Sequence, residues 1–319
     1  MQIKSTCRMK MICGEYHVFS LTLSYQMPAR LRPIFKHVRG HVPPIAVAAQ
    51  PKCEEEVVSI TNNVIDRTQE RVNPSQFTRL QAGDSAAQFP AEIAAIAAQH
   101  RPSRMPFFKN LATLPLAAAR NPILLGRIHL VYQAAMHATR AAVYYLPHLD
   151  SPALRKRKLQ IFIDDDGLPG GDTHHYQLTR AFRNIGARLV LEDEEFGDAE
   201  ELCRHLDPQT ARFVQLAQSL YARSLGAWCI VEVMSDDWMR ALADALAVHF
   251  PRIVAEPYFH ECFEHGVEER HAEESMSVTQ MILRARPALV ADTLCDARLM
   301  AQALDGVWTR LDEIVTAFR

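Results

Sequence analysis

From Pro106 to Arg319 the sequence contains no run of alternating β-branched residues, and that constrains the fold more than any other feature. A strand with one buried face needs an apolar residue at every second position, and none of these segments supplies it. Glycines in this region are few, at 126, 167, 170, 171, 186, 197, 226, 266 and 306, and together with proline they punctuate helix-length segments. The pattern predicts helices near 107–119, 121–146, 151–165, 173–186, 198–205, 208–248, 256–284 and 288–318. Asn121 before Pro122 and Ser151 before Pro152 read as N-caps with proline in the first turn. The 208–248 segment is long for one helix, so a kink is expected around Ser224 to Gly226. The expected class is all-α, a helical bundle.

The first hundred residues read differently. Between Met1 and Lys52 the only acid is Glu15, against Lys4, Arg8, Lys10, Arg30, Arg32, Lys36, Arg39 and Lys52. Such a leader suits a targeting segment, but Glu15 and His17 interrupt its apolar part and no cleavage site follows. A poorly ordered extension, or a start codon placed too far upstream, is the simpler expectation. One short helix is expected over 54–72, then a polar stretch containing Gly83. The expected division is an irregular N-terminal extension over 1–100 and a helical domain over 101–319.

With 319 residues, 48% of them hydrophobic, and a formal net charge of -2, the chain has an ordinary globular composition. The balanced charge gives no reason to expect nucleic acid as a partner, and no apolar run suggests a membrane span. Seven scattered cysteines without a CxxC pair argue against a disulfide framework and for a reducing, cytoplasmic compartment.

The densest chemistry lies in Glu256 to Ser275, EPYFHECFEHGVEERHAEES. On one continuous helix Glu264, Glu268 and His271, at i, i+4 and i+7, would share a face, with His265 and Glu269 beside it. Phe259, Phe263 and Val267 would seat that helix on a core. Upstream, LGAWCIVEVM holds a single ionisable residue, Glu232, on the stripe of Leu225 and Cys229. A carboxylate there must be protonated, paired with a cation such as an Arg, or bound to a metal. In IFIDDDGLPGGDTHHYQLTRAFRNIG, Asp164 to Asp166 end a helix whose dipole they oppose, and a compensating cation is expected nearby. The alternatives are a solvated turn, with His175 packing over Leu178 and Phe182. Segment 121–146 carries His129, His137 and Tyr132 but no acid, which suits core packing or the lining of a substrate pocket.

At these residues the sequence resembles the heme-oxygenase-like diiron oxidases and oxygenases, relatives in fold of the TenA proteins and of pyrroloquinoline quinone synthase. DDDG followed by HYQLTRAFRNIG matches that family's first two ligand elements, Glu232 in its apolar helix the third, and EHGVEERHA the last. The similarity runs from MPFFKNL, near Pro106, to Arg319. Asp165 stands where the family has Glu, Glu268 where it has Asp, and Glu264 where it has His. The resemblance implies a heme-oxygenase-like bundle in which Asp165, His175, Glu232, Glu264, Glu268 and His271 hold two Fe(II) ions per chain, and the donor set also suits Mn(II). It further implies O2-dependent oxidation of a small amino acid, amine or fatty acid, with Tyr132, His137 and His265 lining the substrate pocket, and a homodimer by fold analogy. Two other classes stay open: a metal-free enzyme of the same fold using Cys229 or a His pair, and a non-catalytic helical protein with a decayed metal site.

Overall fold

The computed structural model describes residues 82–165, 172–192, 195–196, 199–264 and 266–319, except for the side chains of 82–85, 199–200 and 261–264. Every regular element among them is helical, so the chain is all-α. In order these are α1 (Ala82–Gln99), α2 (Pro106–Ala112), α3 (Leu116–Ala119), α4 (Pro122–His137), α5 (Pro152–Asp165) and α6 (His174–Asn184), then α7 (Ala199–His205), α8 (Pro208–Arg223), α9 (Leu225–Ala247), α10 (Pro257–Glu264), α11 (Val267–Ala285) and α12 (Val290–Thr316). Short 3-10 turns connect some of them, and one, Ala138–His148, prolongs α4. No helix among the described residues is long and apolar enough to cross a membrane.

The bundle is built around α9 and α12. These two pack on each other, α11 packs on α9, and α1, α2 and α8 pack on α12. Their meeting place is aromatic: Trp308 is fully buried against Trp238, Phe107, Phe108 and Tyr132, with ring centroids 5.3 to 6.4 Å apart. Burying such side chains supplies the largest apolar areas available to a core.

Several expected elements keep their limits. Asn121 caps α4 through Oδ1, which accepts from the amides of Ile123 and Leu124. Others need correction. The packed domain does not start near 101, because α1 buries Ala86, Phe89, Ile93 and Ile96 at helical spacing. Pro90 lies inside α1. Proline removes the hydrogen bond to the carbonyl four residues earlier, and that carbonyl, of Ala86, accepts from Gln280 Nε2 at 3.4 Å instead. His100 and Glu92 then tie this end of the chain to Asp305 and Arg298 of α12. The helix expected over 54–72 lies outside the described residues.

The expected kink at 224–226 is a full break. Ser224 is extended, and its Oγ accepts from Gly226 N, capping α9. A Cβ on Gly226 would stand 1.8 Å from the carbonyl oxygen of Thr293, so this glycine lets α9 and α12 touch backbone to backbone. The helix expected over 256–284 is likewise two helices, because Gly266 adopts a left-handed conformation at φ +57. Glu264 therefore closes α10 and is not stacked on the face of Glu268 and His271, which belong to α11.

Two substitutions separate these glycines. Gly226→Ala should destabilise the protein by about 1–3 kcal/mol or more, since backbone cannot yield to the new methyl. Gly306→Ala, inside α12 with nothing within 4 Å of its Cβ position, should stabilise by about 0.5–1 kcal/mol. Urea unfolding midpoints of both variants against the parent chain check the two signs.

Candidate metal centre

Three helices bring ionisable side chains to one buried point. The last turn of α5 supplies Asp164 and Asp165, the second turn of α9 supplies Glu232, and the first turns of α11 supply Glu268 and His271. Glu268 and His271 are three residues apart, so they lie on one face of α11 despite the break at Gly266. Asp165, Glu268 and His271 each offer a donor atom within 4.8 Å of the others. His271 Nδ1 lies 3.7 Å from Asp165 Oδ1 and 3.8 Å from Glu232 Oε2. Glu232, Glu268 and His271 are all buried. At the first turn of α6, His174 Nδ1 stands 3.4 Å from Asp165 Oδ1.

The hydrogen bonds around this point orient the groups toward it. His271 Nε2 is 3.2 Å from Asp164 Oδ2; with the proton on Nε2 donated there, Nδ1 keeps its lone pair. That Nδ1 is buried and makes no hydrogen bond among the described residues. Trp228, one turn before Glu232 on α9, donates its indole N–H to Oε1 at 2.7 Å, which leaves Oε2 on the side of His271. Burial raises the Glu232 carboxyl above the ordinary carboxylate value. His271 and Lys158 pull it back and Glu268 pushes it further up.

Lys158 is an unusual neighbour. It sits two turns before Asp165 on α5 and is fully buried. Its Nζ lies 3.9 Å from the centroid of the Trp228 ring and donates to Ser275 Oγ on α11. Burial lowers its ammonium to about 8, against the pull of Glu232, Cys229 and Glu274 in the other direction. If Glu232 pairs with a protein cation the sequence points to an Arg; the cation beside it in the structure is Lys158, and the imidazole of His271 stands 3.8 Å from its Oε2.

The other expected site residues are placed as follows. His175 is buried beside His137, with ring centroids 5.0 Å apart, and it is His174 that meets Asp165. Adjacent residues on a helix diverge by about 100°, so one histidine faces the carboxylates and the other faces the helix behind. Burial, with the charge of Arg140, holds His175 well below its ordinary value and His137 at about 4, so both rings are neutral at pH 7. The side chain of Glu264, all of His265 and Asp166 lie outside the described residues. Tyr132 is fully buried and its hydroxyl bonds that of Tyr258 at 2.9 Å, which makes it a core residue. His129 pairs with Thr179 at 3.1 Å in the core, neutral because burial takes it to about 3. Cys229 is buried on α9, and burial pushes its thiol up to about 11, so it is protonated and unreactive at pH 7.

No protein-family model matches this chain, and no curated protein does. What the site can do rests on its own geometry. Two surface clefts, of about 390 and 650 Å³, lie between Arg223 and Asp296 and between Phe108 and Asp244, and neither includes a residue of the carboxylate and imidazole cluster.

Sequence reasoning passed over Lys158, Trp228, Ser275 and His174. The signal for three of them was helical spacing from a candidate ligand: seven residues before Asp165, four before Glu232 and four after His271.

The buried lysine sets a pH dependence that can be measured. Its folded value of about 8 is depressed from an ordinary 10.5, so the unfolded chain holds the proton more tightly than the fold does. The cost of burying the charge is present in full below pH 8 and is relieved as pH rises toward 10.5. Relative to Lys158→Met, the unmodified chain should gain on the order of 3 kcal/mol of stability across that window. Parallel urea titrations between pH 7 and 10.5 should show the two chains converging or crossing in that sense; a constant difference would remove Lys158 as the cause.

Proposed function

We propose that this chain is a non-heme iron oxidase or oxygenase, using O2 to oxidise a small organic substrate of the amino acid, amine or fatty acid class. Its metal site is Asp165, Glu232, Glu268 and His271. The observation that carries the reading is His271 Nδ1, a buried lone pair without a hydrogen bond, facing carboxylates from two other helices. A buried imidazole nitrogen with no hydrogen bond, beside the buried carboxylates of Glu232 and Glu268, is costly unless a cation binds there. Hard oxygens with one imidazole suit Fe(II) or Mn(II) better than a structural zinc site, which favours thiolates. The resemblance to the heme-oxygenase-like diiron oxidases supports the same bundle type and the same chemistry.

Iron bound there would supply the binding and reduction of O2 for oxidation of the substrate. The chain's own groups have separate tasks. Asp164 holds His271 in the tautomer that presents Nδ1, and the Trp228 N–H fixes one oxygen of Glu232 so that the other points into the site. His174, on the first turn of α6 beside Asp165, is placed to take or deliver a proton at that carboxylate. The aliphatic and aromatic wall of α9, with Trp228, Val231 and Met234 buried, keeps bulk water from the Glu232 side of the site. A reading through a cysteine nucleophile has less support, because Cys229 is a protonated thiol enclosed by protein.

An anaerobic Fe(II) titration of the purified chain tests the proposal, followed by admission of O2 while the visible spectrum is recorded. Iron uptake and a spectral change on O2 exposure are expected. Folded protein that takes up no iron would end this reading. Loss of groups that only orient a ligand typically costs about 10–100-fold in metal affinity, so Asp164→Asn should fall in that range and His271→Ala should lose about a hundredfold or more. Glu232→Ala should do likewise, whereas His129→Ala, a core change, should lower stability and leave iron affinity unchanged. Dialysis followed by elemental analysis reads all four.

A further inference from the structure

Lys158 has no role in the ligand set, yet it is the one lysine among the described residues that is fully buried beside the site. It belongs to a second layer, a turn or two along the same three helices. Lys158 on α5 stands seven residues from Asp165, Trp228 on α9 four residues from Glu232, and Ser275 on α11 four residues from His271. The three side chains touch one another: the ammonium lies 3.9 Å from the Trp228 ring centroid and donates to Ser275 Oγ. Trp228 in turn donates to Glu232 Oε1 at 2.7 Å. The ammonium is thus coupled to the ligand layer through an indole whose N–H is bonded to a ligand carboxylate.

We propose that Lys158 is a resident cation of the site and that it limits the site to one divalent metal ion. This rests on the metal reading above. The proposed ligand carboxylates are Asp165, Glu232 and Glu268, the last two buried and Asp165 a third exposed; Asp164, equally exposed, pairs instead with His271 Nε2. One ammonium beside three carboxylates leaves two formal negative charges, which a single divalent ion neutralises. A second divalent ion would leave an excess of positive charge in a buried space, where charges interact strongly and solvation cannot offset them. A lowered value of about 8 still leaves the lysine mainly protonated at pH 7. A cation stacked on an aromatic face is also a favourable resting state for an ammonium that water does not reach.

Lys158 is then a specificity-determining residue for metal number, and metal binding rather than activity reads it out. Mn(II) alone is the probe, with stoichiometry and affinity from calorimetry and free ion from electron paramagnetic resonance. The unmodified chain is expected to bind one Mn(II) ion. Lys158→Met keeps the stem and removes the charge, and should bind the first ion about tenfold tighter or more and accept a second. Lys158→Gln serves the same comparison should the methionine variant not fold, and circular dichroism establishes which variants are folded. Ser275→Ala removes a contact of the ammonium and keeps its charge, so its Mn(II) binding should match the parent chain; a change as large as that of Lys158→Met would assign the effect to packing and overturn the proposal. Two ions bound by the unmodified chain, or equal affinity and number in the neutral variants, would also overturn it while leaving the metal site standing. No Mn(II) or Fe(II) bound by any of these chains would remove the metal reading and this inference together. Binding by the neutral variants alone would likewise overturn both, because the unmodified chain would then hold no metal ion.

Discussion

A carboxylate inside an apolar helix is expensive, and the structure around Glu232 answers that expense. The α9 segment from Leu225 to Met234 is buried along nearly its whole circumference, so Glu232 has no water to turn to. An uncompensated charge there would cost several kcal/mol, comparable with the net stability of a domain. The answer comes from three directions: the indole of Trp228 on the same helix, the ammonium of Lys158 on α5, and the imidazole of His271 on α11. Two of these groups come from other helices, α5 and α11, and the third from α9 itself, so the carboxylate is compensated where the helices meet.

The arrangement has two layers with different characters. One layer gathers carboxylates and a histidine whose Nδ1 makes no hydrogen bond among the described residues. The other carries a cation already, enclosed by Trp228, Ser275 and the buried thiol of Cys229. Helical periodicity makes such layering inexpensive, because residues four or seven apart on one helix meet residues four or seven apart on its neighbours. His129 and His137 of α4 and His175 of α6 form a separate region, neutral and packed around Phe182 and Phe196.

Two breaks decide how close these helices come. Ser224 ends α8 and caps α9, so that Gly226 can rest on the backbone of Thr293 and bring α9 onto α12. Gly266, left-handed, separates α10 from α11. Glu268 and His271, on the first turns of α11, meet Asp165 of α5, and His271 also approaches Glu232 of α9, while Glu264 closes the preceding helix. Without that break the two residues would share a face with Glu264 and the site would be drawn along one helix rather than between three.

Much of the class was legible in the sequence, because helix-forming segments without alternation leave little else to form, and because caps such as Asn121 act through local backbone geometry. The candidate ligands Asp165, Glu232, Glu268 and His271 were legible for a related reason: a charged group on an apolar stripe, or an acid at the wrong end of a helix dipole, announces an unmet local need. What local pattern could not decide was orientation. Two adjacent histidines look equivalent in the sequence, yet only His174 meets Asp165. A glycine at 266 reads equally as helix interior or helix end. Pro90 lies inside α1, and the carbonyl it leaves free, that of Ala86, is bonded by Gln280, nearly two hundred residues away. Lys158 looks like one more surface lysine on a basic helix until Trp228 and Ser275 close over it. The sequence alone determined which segments are helices and which of their positions carry unmet charge, since both follow from interactions within a few turns. Only the tertiary structure decided which unmet charges face one another, because that depends on how helices distant in the chain rotate and pack.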